Sequence, residues 1–170
     1  NTGNILRNLA GDVGVAFFGG EAAGLGTLTT GDGPQAQAST ICGSGVTFTS
    51  ATVTVNGGFL ETNSALTTGV QNSGTWVHKA GTITTLSVNQ GAVFYNNGAS
   101  TIATLNLYGG TFDASRGNAT FAITNTVQMY KGSKYIDPQG RSGNVVFKLN
   151  ACTFADVTII LPANKIFTPS

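Results

Sequence analysis

The sequence predicts an all-β protein, a right-handed parallel β-helix of about four to six coils. An irregular N-terminal arm and a C-terminal cap are expected to flank the coils. Three observations lead to this fold: a repeating segment, a corner glycine in each repeat, and alternation of polar with apolar residues at a period of two. Only 9% of the 170 residues are charged, against roughly 25% in ordinary domains. Hydroxyls and amides must therefore supply the surface polarity, which suits β-structure with many corners.

The repeat consists of four consecutive segments and a looser fifth. Their corner glycines are Gly58, Gly74, Gly91, Gly110 and, in the fifth segment, Gly132. The predicted inward positions before the corners are Val55, Val70, Val88, Leu107 and Met129, and those after the corners are Leu60, Trp76, Val93 and Phe112. Corner spacings of 16, 17 and 19 residues favour a solenoid whose corners accept insertions. Each segment is then one coil, stacked on the next at ~4.8 Å.

The chain divides into three predicted regions. Residues 46–147 form the β-helix, and residues 148–170, which contain Pro162 and Pro169, form the C-terminal cap. Residues 1–45 hold eleven glycines and little alternation, so we expect an irregular arm or cap that could dock onto a partner. Phe17 and Phe18 are the adjacent aromatic residues of this arm and the predicted anchors in an apolar pocket of the partner.

Charge and hydropathy exclude two classes of partner from the prediction. The net charge is +1 and the Lys and Arg residues are scattered, so we expect no nucleic-acid binding. No apolar run approaches the ~20 residues that span a bilayer, so no membrane association is expected. Cys42 and Cys152 are too few for a disulfide framework, and we expect both to be free and buried.

The acidic residues are the first catalytic candidates, because many parallel β-helix proteins cleave polysaccharides. Glu61 and Asp113 occupy the same register position, with Val77 and Phe94 between them. Three coil spacings separate them by roughly 14 Å, whereas glycosidase carboxylates lie ~5 to 9.5 Å apart. Asp137 belongs to a "DPQG" turn. The sequence therefore predicts no enzyme and no catalytic residue.

Histidine and the exposed aromatic residues complete the candidates. His78 is the single histidine, so it predicts neither a metal site nor a nucleophilic triad, and we expect it to face outward. No cofactor is expected either. Phe59, Tyr95 and Tyr108 are predicted on the outside or at corners. They either bind a partner or shield neighbouring β-branched side chains, and the sequence leaves both interpretations open.

The segment "TTLSVNQGAVFYNNGASTIATLNLYGGTFDASRGNATFAITNTVQMYKGSKYIDPQGR" resembles β-helical virion proteins of tailed bacteriophages. The similarity covers roughly residues 46–147 and comprises the Thr-Leu-x-Val and Gly-Gly repeats, a "DASR" coil and a "DPQGR" turn. Autotransporter passengers and other adhesins share the coil pattern. The resemblance implies a trimeric head-decoration (cement) protein on the capsid exterior, bound to the major capsid protein or another virion protein. It also allows a part of a tail fibre or spike.

Two further functions remain as alternatives. The first is a spike fragment or adhesin, on a tail fibre, secreted or at a cell surface, that binds a receptor or glycan through Tyr95, Tyr108 and Asp113. The second is a polysaccharide-degrading enzyme, which the separation of the carboxylates disfavours.

Overall fold

The computed structural model describes residues 5–8, 14–17, 23–164 and 168–169, with only the backbone at 5–8, 15–17, 23–24, 49–50 and 168–169. The strands in these ranges are β1 (Ile5–Asn8), β2 (Gly14–Phe17), β3 (Ala23–Thr30), β4 (Ser39–Cys42), β5 (Val46–Val55), β6 (Phe59–Thr62), β7 (Leu66–Gln71), β8 (Thr75–His78), β9 (Gly81–Asn89), β10 (Val93–Asn96), β11 (Ser100–Tyr108), β12 (Thr111–Asp113), β13 (Ala122–Ile123), β14 (Thr126–Met129), β15 (Lys134–Ile136), β16 (Val146–Leu149), β17 (Thr158–Ile160) and β18 (Thr168–Pro169). One 3₁₀ turn, Phe154–Asp156, precedes β17.

The strands form two parallel sheets that the chain visits in turn. The first sheet has the order β1-β3-β5-β7-β9-β11-β14-β16-β18, with β13 also beside β11. The second sheet has the order β2-β4-β6-β8-β10-β12-β15-β17. Each turn of the chain thus adds one strand to each sheet beside the strands of the previous turn. The predicted all-β solenoid of parallel strands is confirmed.

The interior of the first sheet is an apolar column in which each member pairs with the next. This apolar column consists of Leu28, Val53, Gly69, Leu86, Leu105, Val127 and Phe147. The opposite wall is aromatic: the rings of Phe94 and Phe112 stack at 5.7 Å, and those of Phe112 and Tyr135 at 5.2 Å. These side chains are buried, and their burial supplies the hydrophobic stabilisation that one coil alone could not provide.

Gly69 interrupts the apolar column because Trp76 fills the space beside it. A Cβ atom at Gly69 would lie 2.9 Å from Cη2 of Trp76 and 3.0 Å from Cδ1 of Leu86. Trp76 is completely buried, and its ring meets Phe94 edge-on at 5.4 Å. The smallest residue of one sheet therefore accommodates the largest residue of the other, as close packing requires.

The structure corrects two predicted inward positions. Phe94, not Val93, pairs with Trp76 in the aromatic wall, because Ala92 N bonds to Asn89 O at 3.0 Å and this turn inserts one extra residue after the corner. Gln71, not Val70, lies between Val55 and Val88. The amide of Gln71 is buried because its Nε2 donates to the carbonyls of Gly74 and Val93, both at 2.9 Å. Hydrogen bonding thus places a polar residue where the pattern favoured an apolar one.

Most corner glycines lie where the spacing predicts them. Gly58, Gly74, Gly91 and Gly132 have φ between 73° and 82°, a region that disfavours side chains with a Cβ atom. In the fourth corner, Gly109 and not Gly110 has the positive φ, at 82°.

The N-terminal region differs from the predicted irregular arm. Strand β3 pairs with β5 from Ala23 and Val46 to Thr30 and Val55, with a bulge between, and β2 pairs with β4. The described part of residues 1–45 therefore extends both sheets of the solenoid. Its Gly, Ala and Thr residues hide the alternation, because parallel pairing depends on backbone groups that every residue except proline carries. A docking role for this segment remains a prediction.

At the other end, β17 and β18 are the last described strands of the two sheets, so the predicted cap also continues the ladder. Both cysteines are free, as predicted. Cys42 is buried, but Cys152 is only half-buried, because it lies in the segment after β16, where its Sγ is 3.5 Å from the carbonyl of Met129.

Candidate interaction surfaces

The two predicted carboxylates lie far apart on the outside of the second sheet. Their column runs Glu61, Val77, Tyr95, Asp113, so Tyr95 takes the place predicted for Phe94. Three strand spacings again give roughly 14 Å. Glu61 instead bonds to Nζ of Lys79 at 2.6 Å, and Oδ1 of Asp113 accepts the backbone N–H of Ser115 at 2.8 Å. Neither arrangement pairs two carboxyl groups across a bond to be cleaved.

Asp137 closes a turn, as predicted. Its carboxylate accepts hydrogen bonds from Arg141 N at 3.0 Å, Ser142 N at 2.9 Å and the Ser142 hydroxyl at 2.5 Å. Gly140 N also donates to the Asp137 carbonyl at 3.0 Å. Burial raises the pKa of the neighbouring Tyr135 hydroxyl above its ordinary value. The Asp137 carboxylate thus accepts hydrogen bonds from residues of its own turn, which is a structural role.

The prediction that His78 faces outward is wrong. His78 is completely buried, because it is two residues after the inward Trp76 and side chains alternate along a strand. Nε1 of Trp76 donates to Oγ1 of Thr62 at 2.8 Å, and Thr62 Oγ1 lies 2.9 Å from Nδ1 of His78. The remaining ring nitrogen, Nε2, is 3.3 Å from the Gly81 carbonyl.

These contacts assign the tautomer of His78. The Gly81 carbonyl can only accept, so Nε2 of the neutral ring carries the imidazole proton and donates to it. Nδ1 is then an acceptor, and the Thr62 hydroxyl donates to it while its oxygen accepts the indole N–H of Trp76. Burial lowers the pKa of His78 to about 4, with the Gly81 hydrogen bond as a smaller opposing effect. His78 is therefore neutral at physiological pH.

Thr62, His78 and Asn96 lie side by side on adjacent strands and form a polar column inside the second sheet. Asn96 extends the hydrogen bonding, since its Oδ1 accepts from the Ser100 hydroxyl at 2.6 Å and its Nδ2 donates to Gly98 O at 3.3 Å. Burial, together with the Glu61 charge, raises the pKa of Cys42 to about 11. Cys42 is thus a neutral thiol. No cluster of three metal-ligating side chains occurs in the described ranges.

Tyr95 and Tyr108 lie on the outside, as predicted, but on different sheets. Tyr95 is half-buried, and the Arg116 guanidinium lies 4.6 Å from its ring centroid. Tyr108 is 43% exposed and its ring contacts that of Tyr130 at 4.6 Å. Tyr108 ends β11 in the first sheet, whereas Tyr95 and Asp113 pair in the second. The three residues predicted to bind a glycan do not form a single groove.

An asparagine ladder leads to Tyr108 along the carboxyl ends of the strands of the first sheet. Nδ2 of Asn72 donates to Oδ1 of Asn56 at 2.8 Å, and Nδ2 of Asn89 donates to Oδ1 of Asn72 at 2.6 Å. Asn89 pairs in turn with Tyr108. The ends of successive strands therefore present side-chain amides first and then the aromatic rings of Tyr108 and Tyr130.

An open groove of about 430 Å³ lies at the beginning of β9, β11 and β13. Its lining includes Thr82, Ser100, Thr101, Thr120 and Phe121, and no charged side chain belongs to it. The other predicted anchors cannot be placed on a surface. Phe17 ends β2, where only the backbone is described, and Phe18 lies outside the described residues.

Sequence reasoning missed the contrast between the outward faces of the two sheets. The first sheet carries a threonine rank, in which Thr27, Thr52, Thr68, Thr85 and Thr104 pair in succession. The second sheet carries an apolar face composed of Ile41, Phe59, Val77, Val93, Tyr95, Ile136 and Ile160, partly exposed at the outward positions. Sorting each strand's outward residues by sheet would have revealed this difference.

Comparison with known proteins gives no relative. No family model, curated protein or solved structure matches the chain. Within the described ranges, no helix has the length and apolar character needed to cross a bilayer.

Proposed function

We propose that the protein is a structural virion protein of a bacteriophage, a decoration or cement protein that lies on the capsid exterior and stabilises the head shell. The proposal rests on the resemblance of residues 46–147 to β-helical virion proteins. The observation that supports it best is the continuous ladder of parallel strands around a packed core. Such a body offers an extended surface along its stacked coils for contact with neighbouring shell subunits.

The surface chemistry fits contact with another protein. Only 9% of the residues are charged, and the charged pair Glu61–Lys79 on the second sheet is internally matched. Neutral side chains can be covered by a shell protein without the cost of removing water from unpaired charges. In a homotrimer, three weak contacts with the major capsid protein or another virion protein would add through effective concentration.

Mass spectrometry of purified particles, with heads separated from tails, tests this function. We expect the chain in the head fraction, and we expect particles that lack it to release their genome at a lower temperature. Presence only in tails would favour the second function below, and absence from every particle fraction would overturn the virion role.

A tail fibre, spike or adhesin that binds a surface glycan is the second candidate. The observation that favours it is the contact between the exposed Tyr108 and the half-buried Tyr130 beside the asparagine ladder, because aromatic rings and amides are suited to sugar rings and their hydroxyls. Binding on a glycan array that Tyr108→Ala abolishes and Tyr108→Phe retains would support it. No binding by the wild type would remove it.

A further inference from the structure

We propose that the apolar face of the second sheet is the surface on which copies of this chain pack against one another. The inference rests on the homotrimer of the proposed function and specifies the face that the copies share. It follows from the different chemistry of the two outward faces.

The apolar face has the composition of an interface centre. Across β4, β6, β8, β10, β12, β15 and β17, half of the fourteen outward positions carry large apolar side chains. Val93 and Tyr95, on the middle strand β10, lie at the centre of this face, next to Val77. An apolar centre of aromatic and aliphatic side chains is typical of a protein–protein contact.

The outward face of the first sheet has the opposite character. Beside the threonine rank, a second rank runs Thr29, Thr54, Val70, Ser87, Asn106, Gln128 and Lys148. Burying such hydroxyls and amides requires a hydrogen-bond partner for each. Water provides these hydrogen-bond partners when the face is exposed, so the outward face of the first sheet is expected to remain in contact with solvent.

Charge on the second sheet permits a second copy as the occupant. The face and its margin carry two carboxylates, Glu61 and Asp113, and three cations, Lys79, Arg116 and Lys134. Glu61 is bonded to Lys79, Asp113 to a backbone N–H, and Arg116 lies over Tyr95. Four of these five charged groups have a partner within the chain, and the net charge of the face is small, so it can meet copies of itself without strong repulsion.

Geometry also favours a copy of this chain. The side chains of the apolar face form ridges at the strand spacing of ~4.8 Å, and every copy offers the same spacing over the same length. Around a three-fold axis, Val93 and Tyr95 of the three copies would together form the apolar centre of the contact.

Sedimentation velocity of the full chain over a range of concentrations tests the proposal. We expect the wild type to self-associate and Val93→Lys to raise the dissociation constant at least ~10-fold, a change equivalent to about 1.4 kcal/mol. Val70→Lys is the matched control, because Val70 is also a half-buried outward valine but lies on the first sheet. Circular dichroism would establish that both variants are folded.

Hydroxyl-radical footprinting of the wild type tests the same face without a substitution. Association should protect Tyr95 from oxidation and leave Tyr108, at the end of a strand of the first sheet, reactive. A wild type that stays monomeric at all concentrations would overturn both the shared face and the trimer. Self-association that Val93→Lys and Val70→Lys weaken equally, or that protects Tyr108 and not Tyr95, would overturn the face alone. None of these results bears on whether the protein lies in the virion, which the mass spectrometry of purified particles tests separately.

Discussion

The apolar column and the polar column hold the coils together in different ways. In the apolar column, Leu86 packs on Leu105 and Leu105 on Val127, and such contacts are non-directional. Away from Gly69, a coil displaced along the stack would find similar neighbours. In the polar column, Trp76 donates to Thr62, and Thr62 bonds to His78. Only one pairing of coils satisfies all three groups, so packing stabilises the stack and hydrogen bonding specifies its register.

The largest effect is expected where the two columns meet, at Trp76. Trp76→Ala leaves a cavity beside Gly69 and removes the donor to Thr62, so the free energy of unfolding should fall by about 3–5 kcal/mol. Trp76→Phe keeps an aromatic ring and loses the hydrogen bond, and should cost about 1–3 kcal/mol. Urea denaturation measures both changes. A loss below about 1 kcal/mol for Trp76→Ala would show that the indole does not join the columns.

The polar column should also make stability depend on pH. In the unfolded chain His78 takes up a proton below its ordinary pKa of 6.5, whereas the buried ring resists protonation until about pH 4. The stabilisation is therefore complete above pH 6.5 and is lost as the pH falls from 6.5 to 4, by about 3 kcal/mol. His78→Gln should flatten the profile in this window, because His78 is the single histidine. Equal slopes for wild type and variant would contradict the expectation.

A smaller effect is expected in the apolar column at Gly69. Gly69→Ala places a Cβ atom 2.9 Å from Trp76 and 3.0 Å from Leu86, and such overpacking costs about 1–3 kcal/mol. The same substitution made together with Trp76→Phe should cost less, because the phenyl ring lacks the indole atoms that clash. A double-mutant cycle by urea denaturation measures this coupling. If the losses in the free energy of unfolding for Gly69→Ala and Trp76→Phe were strictly additive, the Cβ atom at position 69 would not clash with the indole ring.

Inward positions beside the corners could be predicted from the sequence because their signal is repeated. Val55, Val88 and Leu107 each precede a corner glycine and are buried, and this repetition was enough to give the parallel solenoid. The outward position of Tyr108 followed from the same alternation, because Tyr108 adjoins the inward Leu107.

The polar residues could not be placed in this way. Gln71 and His78 occupy inward positions, and their burial is possible only because Gly74, Val93, Thr62 and Gly81 supply partners. Those partners come from corners and neighbouring coils, which a pattern of apolar residues does not locate. The N-terminal strands were missed for a related reason: β3 pairs through its backbone, and Gly24 and Thr27 give little contrast between its faces.

The polar column can fix the register of the coils only if His78 is neutral and hydrogen-bonded inside the second sheet. An NMR titration of the imidazole nitrogens in the folded protein tests this most directly. The predicted result is a neutral ring with its proton on Nε2 and a pKa of about 4. A pKa near the ordinary 6.5, or a proton on Nδ1, would contradict the hydrogen-bonded polar column and its role in fixing how the coils stack.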